Sequence, residues 1–303
     1  MAISRAQLVK ELEPGLNALF GLEYKRYDNQ HAEIYTTESS DRAFEEEVML
    51  SGFANAQVKG EGAGVSFDQA QETFTARYTH ETVALAFAIT EEAIEDNLYD
   101  RLASRYTKAL ARSMSNAKQV KAVEPLIQGL PSTDGFDSGD GVSLFNASHP
   151  TVAGTFANTL ATQSDLNETS LEQSMIDIAK MTDERGLRIA ARGVKMIIPS
   201  ELQFTAERLM KSQGRTGTAD NDINAIVSMG MVPQGYRVNN YLTDSDAFYI
   251  ITDVPNGMKM FQRAPLKTAM EGDFDTGNVR YKARERYSFG VSDPRGIFGV
   301  EGA

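Results

Sequence analysis

Polar and apolar positions alternate most strictly near the C-terminus, in GNVRYKARERYSFGVSDPRGIFG at 277–299. Arg280, Lys282, Arg284 and Arg286 recur at a period of two, with Tyr281, Ala283, Tyr287, Phe289 and Val291 filling the other parity. Side chains alternate faces along a strand, so the pattern predicts a β-strand with one basic face and one apolar, aromatic face. Glu285 is the one charge on the apolar side. The run stops at Asp293-Pro294-Arg295-Gly296, and Ile297, Phe298 and Gly299 follow. A charged strand leading into a compact apolar end reads as a surface that meets a partner.

At the other end, Leu8, Leu12, Leu16 and Leu19 make a helical stripe interrupted by Pro14-Gly15. Residues 1–45 show helical pieces and no clear core. They read as an N-terminal arm or docking helix, or as a helix packed on its own subunit. Residues 46–89 predict a long β-hairpin. One arm runs from Glu46 to Lys59 and the turn is Gly60-Glu61-Gly62-Ala63-Gly64, where glycines permit positive φ. The returning arm, Gln71 to Ile89, carries Phe74, Ala76, Tyr78, His80 and Thr82 at period two. Two strands alone bury too little apolar surface, so the hairpin needs a neighbour, in its own domain or in another subunit.

Residues 90–123 predict a helix that Thr90 can cap, with Glu91 and Glu92 at its start and Lys118 and Lys121 near its end. Ile94, Leu98, Leu102, Tyr106, Leu110 and Met114 are spaced by four. Each such step advances about 400°, so the stripe drifts and should bury different faces at the two ends. Gly129 and Pro131 end the region. Residues 130–168, rich in Gly, Ser, Thr, Asp and Asn, predict a long loop excursion that faces a partner or serves function. Thr169-Ser170-Leu171-Glu172 reads as a capping box, with Gly186 closing that helix. Val194–Ile198 predicts a buried strand, Pro199-Ser200 starts a second helix, and 214–222 is a flexible loop. Two further strands, Tyr236–Leu242 and Ala247–Thr252, complete an α/β unit over 169–253. From Met258 onward the chain is strand-rich.

With 303 residues the chain has room for one large domain or two closely joined ones. Its 42 acidic and 30 basic side chains give a formal charge of -12, which argues against general nucleic-acid binding. A protein that encloses DNA without gripping it would present an acidic or neutral face to it. The absence of cysteine excludes disulfides, thiolate metal sites and thiol nucleophiles. No run of 18 apolar residues occurs, so no membrane-spanning helix is expected.

Catalytic chemistry is sparse. His31, His80 and His149 have no metal-ligand neighbours at zinc-site spacing, and His149 before Pro150 reads as a turn residue. Gly60-x-Gly62-x-Gly64 precedes no helix, so it lacks the helix N-terminus that a phosphate loop uses. Glu45, Glu46 and Glu47, Glu91 and Glu92, and Asp183 and Glu184 could pair for acid–base work, but such runs are usually solvated faces. No cofactor or metal site is expected. The basic strand face reads either as a solvated face or as a surface that pairs with an acidic patch on an identical neighbour.

Taken in order, these elements resemble the major capsid proteins of tailed phages, with the Hong Kong 97-like α+β fold. Within that group the chain looks most like the Mu-like major head subunits. Local likeness lies in SLFNASHP at 143–150, AFYIITDVPNGMKMFQR at 247–263 and ARERYSFGVSDPRGIFG at 283–299. The resemblance implies an N-terminal arm (1–45), an extended E-loop hairpin (46–89) and a peripheral domain with spine helix and loop excursion (90–168). An axial domain (169–256) and a return to peripheral-domain strands (257–303) complete it. It implies a non-enzymatic shell protein that assembles with itself as hexamers and pentamers around double-stranded DNA, without sequence-specific binding and without membrane association. Such a protein is made in the host cytoplasm and resides in the virion, with scaffold, portal and decoration proteins as further partners. Only about 45 residues precede the hairpin, so any scaffold is expected to be separate. Lys59, Gly60, Gly62 and Gly64 at the hairpin tip, and Arg280, Lys282, Arg284 and Arg286, are the expected subunit-interface residues. An encapsulin-like shell around cargo proteins is the alternative with the same fold; an acidic hydrolase using a carboxylate pair is the alternative of another class.

Overall fold

The computed structural model describes residues 5–90, 92–93, 99–133, 135–214, 223–273 and 277–303; for 5–12 and 99–102 it describes the backbone. Two four-stranded sheets organise the chain. The first has the order β1-β10-β11-β4, from β1 (Thr36–Ser39), β10 (Met258–Gly272), β11 (Val279–Val291) and β4 (Glu81–Ile89). The second has the order β12-β9-β7-β8, from β12 (Ile297–Val300), β9 (Phe248–Thr252), β7 (Gly193–Ile198) and β8 (Tyr236–Val238).

Strand β11 alternates as its sequence predicts: Val279, Tyr281, Ala283, Glu285 and Tyr287 are buried, while Arg280, Lys282 and Arg284 are exposed. The apolar face is covered by helices α1 (Arg5–Arg26) and α2 (Tyr99–Gln128), with Leu16, Phe20, Leu110, Met114 and Tyr281 in one cluster. Helix α1 runs through Pro14 and Gly15 without a break and packs on its own chain. Within residues 1–45, where the sequence shows no clear core, Ile34 and Tyr35 are buried, and the exposed strand β1 pairs in parallel with β10. Leu8 and Leu12 of the predicted stripe lie outside the described side chains.

Helix α2 extends to Gln128, past the predicted end, and Gly129 follows it. Of the predicted stripe, Ile94 and Leu98 lie outside the described residues, as does the Leu102 side chain; Tyr106 is exposed. The described buried positions are Ala103, Thr107, Leu110, Ala111 and Met114, then Ser115, Lys118, Gln119, Ala122, Val123, Pro125 and Leu126. Small and polar residues occupy much of this face, so counting large apolar residues traces it poorly. At about 100° per residue the buried direction turns roughly 100° between the two halves, as one helix serves two cores.

The predicted returning arm of the hairpin is two strands. β2 (Phe44–Leu50) pairs with β3 (Glu72–Thr79), whereas β4 leaves the hairpin after His80 and pairs with β11. The first arm is strand only to Leu50, and 51–71 is irregular. The 130–168 excursion is anchored rather than free. Leu144, Phe145, His149 and Asn158 are fully buried, and β5 (His149–Thr151) pairs with β6 (Gly154–Phe156).

A second core lies between sheet two and helices α3 (Glu168–Lys180) and α4 (Gln203–Lys211), with short α5 (Ala225–Met229) beside them. The cap of α3 is Asn167, not Thr169. Its side chain accepts from the Ser170 amide at 2.8 Å, and the Ser170 hydroxyl accepts from the Asn167 amide at 3.0 Å. Asparagine at the cap with serine at N3 forms the same reciprocal pair as the expected box. The helix ends at Lys180, and Gly186 (φ 80°) instead forms the tight turn beyond it. The loop predicted at 214–222 lies almost wholly outside the described residues.

Candidate assembly surfaces

The hairpin is inside out. In β2 the acids Glu45 and Glu47 point inward, and Phe44, Val48 and Leu50 point to solvent. The cause is the floor on which it lies. Lys259 of β10, itself buried, takes Glu47 at 2.6 Å and Glu38 at 3.2 Å, and the Ser40 hydroxyl donates to Glu45 at 2.7 Å. Those carboxylates raise the Lys259 ammonium above its ordinary value although burial alone would lower it. The other arm packs inward through Ala76 and Tyr78, with Tyr78 stacked edge-on to Phe261 at 4.8 Å.

The same parity of β11 that carries the basic residues continues as Ser288, Gly290 and Ser292 where the hairpin covers it. A Cβ on Gly290 would stand 2.6 Å from the Tyr78 ring. His80 bonds Ser288 at 2.9 Å and Ser40 at 2.9 Å, fixing the point where β3 passes into β4. Burial lowers the His80 pKa, with the Arg286 and Arg263 charges adding to it against Glu45.

Beyond β2 the chain reaches into solvent. Val58 is 99% exposed and Phe67 97%, with Phe53 and Val65 also exposed. The expected tip residues Lys59, Gly60, Gly62 and Gly64 lie within this segment, which turns at Gly62 (φ 75°). Its base is tied by Ser51 to Gln71 and by the Ala54 amide to Asp68 at 2.7 Å. The long side of the loop makes no core.

The second expected surface lies on the first sheet. Arg280, Lys282, Arg284 and Arg286 stand opposite Ala88, Ala86, Ala84 and Thr82 of β4. On the other side Lys267 stands directly opposite Arg284. Like charges placed opposite each other across a sheet are destabilising, so this chain does not settle that surface by itself. Arg280 pairs with Asp273 at 2.5 Å; Lys282 and Arg284 have no ion-pair partner among the described residues. The two expected surfaces are separate: the tip residues stand on the loop, Arg280, Lys282 and Arg284 on the exposed part of the sheet, and half-buried Arg286 at its border with the hairpin, donating to the Ala43 carbonyl.

Sequence reasoning missed two buried ionic centres. Glu285 is fully buried and meets Lys118 at 3.3 Å, with the Tyr24 hydroxyl at 3.5 Å. Burial raises the Glu285 pKa, and the Lys118 charge opposes the rise. Burial and the same lysine hold His31 down to about 4, against a hydrogen bond with Gln119. The second centre joins the two sheets. His149, which begins a strand rather than a turn, bonds Asp140 at 2.6 Å through Nδ1 and Asn158 at 3.0 Å through Nε2. The Asn158 amide donates to the carbonyls of Leu144 and Pro294, and Arg295 pairs with Glu184 at 2.6 Å and Asp293 at 3.2 Å. Local spacing carries no signal for bonds spanning 136 residues.

Of the carboxylate runs, Glu45 and Glu47 are engaged inward, Glu184 pairs with Arg295, and Asp183 accepts from the Arg185 and Leu187 amides. Glu91 lies outside the described residues. An open groove of about 1180 Å³ between α3 and α4 is lined by Leu166, Ser170, Asp177 and Arg208. Among the described residues no group of three or more histidines and carboxylates is placed to hold a metal.

A long helix packed under the first sheet, a hairpin with an outward apolar loop and a second sheet with its own helices make up the Hong Kong 97-like capsid fold. Residues 72–300 match the phage capsid protein family, and the chain belongs to that family. It is a structural capsid protein of the virion. Among solved structures it is similar to the capsid of Myoviridae phage XM1, at 13% identity, TM-score 0.53 and 89% coverage of both chains. The capsid of a native GTA particle matches at 14% identity and TM-score 0.53, covering 91% of each chain. A virus-like particle from Pyrococcus furiosus matches at 12% identity and TM-score 0.51, covering 94% of this chain and 98% of that one. Among curated proteins no sequence matches it.

Proposed function

We propose that this capsid protein is the major head subunit of a Mu-like tailed phage. It assembles as hexamers and pentamers into an icosahedral shell around double-stranded DNA. It is made in the host cytoplasm, works with scaffold, portal and decoration proteins, and has no catalytic role. Residues 1–45, 46–89, 90–168, 169–256 and 257–303 act as arm, E-loop hairpin, peripheral domain, axial domain and peripheral return.

The observation that carries this reading is the loop at 52–70. Val58 and Phe67 are almost wholly exposed on a segment with no core of its own. Exposed apolar surface of this kind marks a contact site. Lys59, Gly60, Gly62 and Gly64 then lie over a neighbouring subunit, and Arg280, Lys282, Arg284 and Arg286 meet an acidic surface of the next copy. With -12 formal charges per chain, acidic surface is abundant.

Negative-stain electron microscopy of the purified chain tests the assembly: closed shells are expected, and a chain that stays monomeric at high concentration overturns it. The likeness to a virus-like particle favours one second reading, an encapsulin-like shell around protein cargo. The contents of particles recovered from cells decide between them, DNA for the first and protein for the second.

A further inference from the structure

The outer side of α2 carries a feature that no contact within the chain uses. Arg105, Lys108 and Arg112 are all exposed, at a spacing of three and four. At about 100° per residue they fall within roughly 60° of one another, and about 150° away from the buried set Ala103, Thr107, Leu110, Ala111 and Met114. They therefore face away from the sheet, on the side opposite the basic face of β11. None of the three has an ion-pair or hydrogen-bond partner among the described residues. From Ala103 to Val123 the helix contains no Asp or Glu, although the whole chain has 42 acids to 30 bases. Asn116, one turn beyond Arg112, is exposed in line with them, and Ser113 is exposed at their flank.

We propose that this stripe is a phosphate-contact site for the enclosed duplex DNA, sequence-independent and made once per subunit. Unpaired cations on a polar helix face, with amide and hydroxyl donors beside them, suit phosphate oxygens. The same face suits a protein partner poorly, because subunit contacts draw their central area from apolar and aromatic groups. Among the described side chains of α2, Tyr106 and Val120 are the large apolar ones notably exposed. The strong acidity elsewhere confines a polyanion to the few places where cations outnumber acids. Three contacts are weak for one chain, but a shell repeats them in every subunit. This inference rests on the DNA-containing capsid reading.

The test uses the unassembled full-length chain and a fluorescent 30-base-pair duplex, with binding followed by anisotropy. Neutralising three phosphates gives a salt slope of about -2.7, a fall of roughly 40-fold in affinity between 50 and 200 mM salt. In the triple variant Arg105→Gln, Lys108→Gln, Arg112→Gln the slope should shrink by that amount. The charge-conserving variant Arg105→Lys, Lys108→Arg, Arg112→Lys should bind as the parent does, and it separates loss of charge from loss of fold. An unchanged slope in the neutral variant overturns the inference. So does a neutral variant that keeps its circular dichroism but no longer forms shells, since the stripe would then be a contact between copies. Failure of the parent itself to form shells would instead count against the capsid-assembly reading.

Discussion

Lys118 on α2 and Glu285 on β11 meet at 3.3 Å in the interior, on the otherwise apolar and aromatic face of the strand. The pair ties the long helix to the main sheet through a charge contact with almost no access to water, the two side chains being 10% and 1% exposed. Removing one partner leaves a buried charge uncompensated. Lys118→Met should therefore destabilise the unassembled chain by about 3–5 kcal/mol in urea unfolding. The double variant Lys118→Met, Glu285→Leu should recover most of that loss. A double variant as unstable as the single one would show that the charge pair is not the cause.

The same lysine should leave a mark on acid stability. His31 is held down to about 4, against 6.5 for an ordinary histidine, by burial and by Lys118. Between those values the unfolded chain binds a proton that the folded chain refuses. Stability from this group is therefore present above pH 6.5 and lost as pH falls to about 4, by about 3 kcal/mol. Urea unfolding across this range, compared with His31→Leu, should show the difference. In Lys118→Met the His31 imidazole resonance should titrate at higher pH.

Val58 and Phe67 should matter to the shell and not to the subunit. Replacing both with serine removes no contact that the chain makes with itself. The unfolding midpoint of the monomer should move by less than about 0.5 kcal/mol equivalent. Shell yield, counted by electron microscopy, should collapse. Normal shells would remove the loop from the list of contacts.

The basic face of β11 can be reversed without touching the core. Arg280→Glu, Lys282→Glu, Arg284→Glu and Arg286→Glu together should leave the circular dichroism of the monomer intact. The same variant should fail to assemble. Normal particles would show that the face is merely solvated.

The strand alternation was legible because it is local: each β11 residue reports its own face, and the structure keeps that parity from Val279 to Tyr287. Legibility failed where burial is decided by distant partners. Glu47 read as solvated, yet it turns inward because Lys259, more than 200 residues away, waits beneath it. The 130–168 segment read as an excursion because its composition is polar, but Asn158 and His149 spend that polarity on buried bonds. Ile34 and Tyr35 read as arm because they are two residues without a periodic run. The two ionic centres left no local trace in the sequence, because their partners lie far apart along the chain.

The loop at 52–70 carries a consequence for how order itself depends on conditions. Val58 and Phe67 gain almost nothing from the chain that bears them, so under the proposed assembly the free energy that holds them in place enters with a second copy. For most of the protein, order is a property of the sequence and the temperature. Under that assembly, for these nineteen or so residues it is a property of concentration, rising by mass action as copies accumulate.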